Sequence, residues 1–345
     1  MAARVLAVVA AIAMVAGALF ARSRIDDDDE ERSTTTLRLV CTTELAGVCD
    51  GLAASEESRI ETRVEPPATT ADALVHLGPG QRPSFDGWLA TAPWPAIVAE
   101  NRSRAGDAGL DVTTGRVLAR SPVVLAVRAD RRSVLEAACG GTPGWKCLGQ
   151  AAGKRWEALP GGKADWGDVK PGHPSVDTAS GLTVLGGATV GYFDGRGDLS
   201  SADLDEAGYQ DWLDRLERAV PGRPASPFQT MLTRLSSFDA VGTLEAEAGP
   251  LLATASNKNV GLLYPSPVAT ADVVLATTGG RAADLLTAIV SGAPGRRALA
   301  RSGWRVAGEP AAAGVPGEPE LPAASNLPEP GVLEALRRRV HTAGG

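Results

Sequence analysis

From Leu37 onward the chain alternates short strand patterns with helical ones, and that order constrains the fold more than any other feature of the sequence. Leu37-Arg38-Leu39-Val40 reads as a strand, and Thr42-Thr43-Glu44 opens a helix running to about Ala54. Arg59–Glu65, RIETRVE, alternates polar and apolar residues at period two, as a half-buried strand does. Thr69-Thr70 caps a short helix through Leu77, Phe85–Thr91 forms a third strand, and Pro93-Trp94-Pro95 starts the next helix. Parallel strands need a crossover, so a β-α-β-α-β-α order predicts a parallel sheet covered by helices.

The second half continues in the same vein. Pro122–Val127, PVVLAV, is a continuous apolar run of the kind buried on both faces of a sheet. Helices are expected near 131–138 and 145–152, and the apolar stretch Gly181–Phe193 aligns with a buried helix despite Gly186, Gly187 and Gly191. Tyr209, Trp212, Leu213, Leu216 and Val220 fall on one helical face, and Phe228, Met231, Leu232 and Leu235 repeat the spacing. Phe238–Leu244, Val260–Tyr264 and Asp272–Ala276 read as strands. Apolar stripes at Leu285, Leu286, Ile289, Val290 and at Val332, Leu333, Leu336, Val340 predict two last helices. Between them the Pro-, Ala- and Gly-rich stretch 310–330 is expected to run extended over the surface.

Compartment is legible at the other end. Val5–Ala21 is one apolar run, followed by Arg22, Arg24 and the acidic cluster Asp26–Glu31. It is read here as an uncleaved membrane anchor, slightly short of the roughly 20 residues that span a bilayer. A secretory signal cleaved near Leu19 or Arg22 is the alternative. Either places the rest of the chain outside the cytoplasmic membrane. The cysteines agree: Cys41 and Cys49, and Cys139 and Cys147, are each eight positions apart. Two local disulfides are the simplest of the three connectivities. Zinc ligation by four thiolates would normally show ligands two to four residues apart.

Charge and motifs exclude other classes. With 34 basic and 41 acidic residues the net charge is −7, so no basic excess exists to neutralise nucleic-acid phosphates. The three histidines, His76, His173 and His341, are scattered, which argues against a metal centre, and no cofactor is assigned. The chain has no G-x-S-x-G, H-E-x-x-H or P-loop pattern, and no catalytic residue is assigned. The Asp194–Asp205 stretch departs from a calcium loop at positions three and six.

Six segments together resemble the type II periplasmic (extracellular) solute-binding proteins, in their actinobacterial form. They are TLRLVCTTELAGVCDGLA (36–53), VKPGHPSVDTASGLTVLGGATVGY (169–192), SSFDAVGTLEAEAG (236–249), VGLLYPSPVATADVVLAT (260–277), RRALARSGWRV (296–306) and LPAASNLPEPGVLEAL (321–336). The resemblance covers about residues 36–340. It implies a two-lobed α/β clamp, each lobe a largely parallel sheet covered by helices, closing on a small polar or anionic ligand for an ABC importer. The expected layout is an anchor at 1–24, an acidic tether at 25–36, lobe one at 37–120 and 265–345, and lobe two at 121–264. A sensor or protein-interaction module on the same fold is the alternative.

On that reading the ligand-binding candidates are Thr42, Thr43, Glu44, Thr91, Thr178, Ser180 and Glu245. Thr42 and Thr43 follow the first strand and Thr91 the third, where strand carboxyl ends form clefts. Thr178 and Ser180 open the proposed second-lobe helix, whose free N–H groups and dipole suit a polar or anionic group. Plain N-capping is the competing role for the hydroxyls. Glu44 and Glu245, if they face the cleft, would repel an oxyanion and favour an amine or hydroxyl-bearing ligand; a salt bridge between lobes is their other role. Tyr264 and Ser266 are candidates for a hinge or for ligand contact.

Overall fold

The computed structural model describes residues 36–54, 59–78, 80–106, 112–220, 222, 224–256, 259–316 and 319–343. The expected anchor at 1–24 and nearly all of the tether lie outside the described residues. Among those described, no helix is long and apolar enough to cross a membrane.

The strands are β1 (Leu37–Thr42), β2 (Ile60–Glu65), β3 (Gly87–Thr91), β4 (Thr113–Thr114), β5 (Ala119–Arg128), β6 (Pro171–Gly172), β7 (Ala240–Leu244), β8 (Val260–Leu263) and β9 (Thr270–Thr277). They form one nine-stranded sheet in the order β2-β1-β3-β9-β5-β7-β6, with β4 on β9 and β8 on β5. β2, β1 and β3 are parallel, as the alternating pattern predicts. From β9 onward the pairing turns antiparallel, and only β6 and β7 run parallel in the second half. The reason lies in connectivity: β9 returns from the far half and enters beside β3 head to tail, where no crossover helix dictates direction.

β5 is the strand that joins the halves. Its first residues, Ala119–Pro122, pair with Val273–Thr270 of β9. From Val123 it changes neighbours, running against Leu244–Ala240 of β7 and, from Leu125, against Leu263–Val260 of β8. Val123, Leu125 and Val127 pack into one hydrophobic cluster and Val124 and Ala126 into another, so both faces are covered. That is why the sequence there is a continuous apolar run.

The helices are α1 (Ala46–Ala53), α2 (Pro67–Val75), α3 (Pro93–Arg104), α4 (Ala129–Cys139), α5 (Trp145–Ala151), α6 (Ala179–Tyr192), α7 (Ala207–Arg218), α8 (Pro227–Thr233), α9 (Glu245–Thr254), α10 (Arg281–Ser291), α11 (Ala293–Arg301) and α12 (Pro330–Ala343). α1 is preceded by a 3-10 turn at Thr43–Leu45. α2 begins at Pro67, two residues before the expected Thr69-Thr70 cap, because a proline at the first helical position loses no hydrogen bond. α6 is buried from Ala179 through Val190. A Cβ on Gly187 would come within 2.7 Å of the Ala269 methyl just before β9, so glycine here permits the close approach despite its low helix propensity.

Both disulfides form locally, Cys41–Cys49 tying β1 to α1 and Cys139–Cys147 tying α4 to α5. The stretch 310–329 carries no helix or strand among its described residues and crosses the β5/β9 junction. Arg120 donates to the Pro322 and Ala323 carbonyls at 2.7 and 2.9 Å, and Asn326 to Val268 O at 2.8 Å.

Candidate functional site

The turn that follows the carboxyl end of β1 meets the amino end of α6. Thr42 closes β1 in extended backbone, and the chain then tightens into the 3-10 turn that carries Thr43 and Glu44. α6 opens with Thr178 as its N-cap: the Oγ1 accepts from Gly181 N at 3.0 Å while donating to Ser175 O at 2.7 Å. A cap of this kind satisfies one of the orphan donors of the first turn.

Glu44 satisfies the next. Its Oε1 accepts from the Ser180 backbone N–H at 3.2 Å and from Ser180 Oγ at 3.3 Å, and its Oε2 accepts from Thr43 Oγ1 at 3.2 Å. The β1–α1 turn and the α6 amino terminus are thus linked through a carboxylate belonging to the chain. The helix dipole favours a negative charge there. A second carboxylate stands close by. Glu247, in the first turn of α9, accepts from Thr243 Oγ1 at 2.8 Å and from Leu244 N at 3.3 Å. Burial, and then the charge of Glu44, push its carboxyl up to about 7, against the hydroxyls and amide that stabilise its ionised form.

Thr42 and Thr91 are fully buried, and the Oγ1 of each lacks a hydrogen-bond partner. Thr42 lies on the strand face of Val40, which packs with Ala179 and Leu182 of α6. Thr91 lies on the same β3 face as Leu89, which belongs to the main core. Thr43 is exposed and Ser180 is 2% exposed.

Glu245 is placed elsewhere. It starts α9, is fully buried, and has both oxygens taken by Arg305, Nε to Oε1 at 2.6 Å and Nη2 to Oε2 at 2.5 Å. Tyr264 donates its hydroxyl to the same Oε2 at 2.5 Å. Of the seven ligand-binding candidates, then, Thr43, Glu44, Thr178 and Ser180 come together, Thr42 and Thr91 are sealed at strand ends, and Glu245 belongs to an internal ion pair.

A cavity of about 420 Å³ opens beside this junction, lined by Thr43 and Thr178 but not by Glu44 or Ser180. Thr43 and Pro66 line it from the first half of the chain, the segment His173–Thr178 and the end of α7 from the second, and Val340 and His341 of α12 from the tail. Its walls are largely Pro, Val and Ala, with two carboxylates, Asp177 and Glu217. Each is held by a histidine: His173 Nε2 lies 2.8 Å from Glu217 Oε1, and His341 Nε2 lies 2.9 Å from Asp177 Oδ1. Arg337 adds a 3.1 Å contact to Asp177. Sequence reasoning missed Asp177, Glu217, Glu247 and both histidines as parts of this region. Asp177 carried a signal, since it immediately precedes the Thr178 cap; His341 and Glu217 carried none, because their partners are 164 and 44 positions away. Among the described residues no cluster of three or more His, Cys, Asp or Glu could hold a metal ion.

No family model and no curated protein matches the sequence. Solved structures do match the fold. Iron-bound HitA from Pseudomonas aeruginosa superposes with a TM-score of 0.61 at 14% identity, covering 89% of this chain and 99% of that one. The ferric binding protein from Campylobacter jejuni gives 0.57 at 8% identity, covering 89% and 97%. The periplasmic binding protein AfuA from Actinobacillus pleuropneumoniae, with fructose-6-phosphate bound, gives 0.56 at 11% identity, covering 89% and 96%. The chain therefore has the fold of periplasmic binding proteins.

Proposed function

We propose that this chain is an extracytoplasmic solute-binding protein, not an enzyme, of the type II family in its actinobacterial form. It captures a small polar ligand between two lobes, 37–120 with 265–345 and 121–264, and delivers it to an ABC permease. Residues 5–21 would hold it at the membrane. The observation that carries the reading is the shared cavity: Thr43 of the β1–α1 turn and Thr178 of the α6 cap line the same space although 135 positions separate them. Thr43, Glu44, Thr178 and Ser180 are the residues assigned to the ligand. The fold's likeness to iron- and sugar-phosphate-bound proteins supports the class, and two disulfides support an oxidising compartment. Closure about β5 and β9 would shift with ligand by differential affinity for the open and closed forms.

A second reading, a sensor or protein-interaction module, is favoured by one observation: Glu44 already occupies the first turn of α6. A thermal-shift screen of oxyanions, amino acids, amines and sugars separates the two. A ligand at 100 times its Kd adds about 2.7 kcal/mol of stability. For the solute-binding reading, at least one compound raises the melting temperature, and Thr43→Ala or Ser180→Ala weakens that compound's binding about 3- to 100-fold. Unaltered affinity in both variants, with only a lower melting temperature, would make these residues caps and the site wrong.

A further inference from the structure

We infer that the groove between α1 and α11 is a docking surface for the chain's own acidic segment, Asp26–Glu31. The inference goes beyond the cleft reading above and does not depend on it. The groove has a volume of about 510 Å³ and lies on the far side of α1 from nothing the ligand reading uses: none of Thr43, Glu44, Thr178 or Ser180 lines it. Its axis follows from two close approaches. A Cβ on Gly47 would stand 3.2 Å from Ser302 Oγ, and one on Gly51 would stand 3.4 Å from Ala298 Cβ. α1 and α11 therefore run antiparallel, with Ala54 at the Pro294 end of the groove.

The groove is basic in an acidic chain. Arg297 and Arg301 line it from one face of α11, one turn apart, and both are exposed. Neither has an ion-pair partner among the described residues. No carboxylate lines the groove, α11 contains no acidic residue, and Asp50, the one acid of α1, pairs with neither arginine. The adjacent Arg296 is different, since Glu309 takes its Nε at 3.2 Å. Two guanidiniums at one groove with no counter-charge suit an acidic peptide, because each can grip a carboxylate with two N–H groups. Asp26–Glu31 puts six carboxylates in succession, a feature of the sequence that neither the fold nor the cleft accounts for.

Reach selects this segment over a separate partner. α1 carries the chain back from β1 to the parallel β2, so its Ala54 end lies toward the amino ends of both strands. There Leu37 N donates to Arg59 O at 2.9 Å, and Arg59 is five positions after Ala54. Glu31 is six positions before Leu37, so either span covers at most roughly 20 Å. The acids are thus tethered within range of the groove at high effective concentration. Spacing fits as well. Alternate side chains of an extended segment lie about 7 Å apart on one side. Arg297 and Arg301 are separated by about 6 Å of helix rise. Docking would leave only residues 22–25 between the apolar run and the bound acids, turning the α1/α11 face toward the amino terminus.

The test uses the full chain in lipid nanodiscs. Arg301→Lys keeps the charge and adds an amine that a zero-length carbodiimide joins to a touching carboxylate. Peptide mass mapping is expected to find residues 26–31 joined to the amine at position 301 within one chain. The yield is expected to fall in about 1 M sodium chloride, where the screening length drops to about 3 Å. A second readout leaves the arginines in place. Asparagine at all four of positions 26–29 is expected to speed amide hydrogen exchange across 294–302 about two- to fivefold. Arg297→Ala/Arg301→Ala is expected to do the same, and combining the two sets to add nothing further. Absence of a link to position 301 overturns the inference, as do links of equal yield to Lys154 or Lys170. Links only between mass-labelled copies make a second copy the occupant and overturn it too. Exchange that is unchanged by either set, or effects that add in the combined variant, would show that acids and arginines do not meet.

Discussion

Glu245 and Arg305 form a two-pronged ion pair in the interior, 60 positions apart, at the point where β5 changes neighbours. Arg305 is fixed from both ends: its backbone exchanges hydrogen bonds with Arg120 of β5 at 2.8 and 2.9 Å, and Nη1 donates to Pro319 O at 2.6 Å. Glu245 is fixed by opening α9, with the following amide, Ala246 N, donating to Ser121 Oγ at 2.9 Å. The pair therefore ties the β7–α9 corner to the returning tail across the strand the two halves share.

Arg305→Ala is expected to cost about 3–5 kcal/mol in urea unfolding, because it strands a buried carboxylate. A Glu245→Gln/Arg305→Met double variant is expected to recover much of that loss, since no unpaired charge is then buried and the Tyr264 hydroxyl can still donate to the amide oxygen. A double variant as unstable as Arg305→Ala would show that the tie acts through packing, not charge.

The two disulfides differ in access. Cys41 and Cys49 are 0% exposed, while Cys139 and Cys147 are partly exposed. Mild reductant under native conditions is expected to open Cys139–Cys147 first, with Cys41–Cys49 yielding only on unfolding; alkylation and peptide mass mapping report the order. Each loop is short, so removing one bridge by paired Cys→Ser changes is expected to cost about 2–3 kcal/mol.

Gly181 sits where the α6 cap is built, and a Cβ there would lie 1.9 Å from the Ser175 carbonyl oxygen. That contact is with backbone, so no side chain can swing aside. Gly181→Ala is expected to push α6 off the 174–178 loop, destabilise the fold by more than about 1 kcal/mol and disturb the Glu44–Ser180 contact. Equilibrium unfolding measures the first effect, and the ligand affinity of any surviving fold the second. A variant of parental stability would show that the loop yields easily.

What the sequence discloses depends on whether the cause is local. The β1–α1–β2–α2–β3–α3 order is legible because period-two and helical patterns act over a few residues, and the continuous run at 122–127 reads as a doubly covered strand for the same reason. The eight-residue cysteine spacing is local too. The antiparallel entry of β9 beside β3 is not, since pairing partners nearly 190 positions apart leave no mark on either segment. Glu245 shows the limit at the site. A glutamate at the start of a helix after a strand looks the same whether it meets a ligand or an arginine 60 positions on. Glu44 shows the converse: its carboxylate is expected near the cleft, but only the fold shows that it lands on Ser180.

Glu247 gives the stability a pH dependence of definite sign. Its carboxyl is pushed up from 4.5 to about 7 in the folded chain, first by burial and then by Glu44, so between those values the folded state holds a proton the unfolded state has released. A raised folded-state pKa means the associated stability is fully present below about 4.5 and is lost as pH rises through about 7. At pH 8 the ionised Glu247 faces Glu44 with the Thr243 and Ser180 hydroxyls as its support, a loss of at most about 3 kcal/mol relative to pH 4.5. Glu247→Gln keeps the shape without the charge. It is expected to flatten the melting temperature between pH 5 and 8 and to melt several degrees above the parent at pH 8. The two proteins should converge toward pH 5, where the parent's Glu247 is protonated as well. Parallel curves over that whole range, with the Glu247→Gln variant never gaining on the parent as pH rises, would show that Glu247 takes up no extra proton in the folded chain.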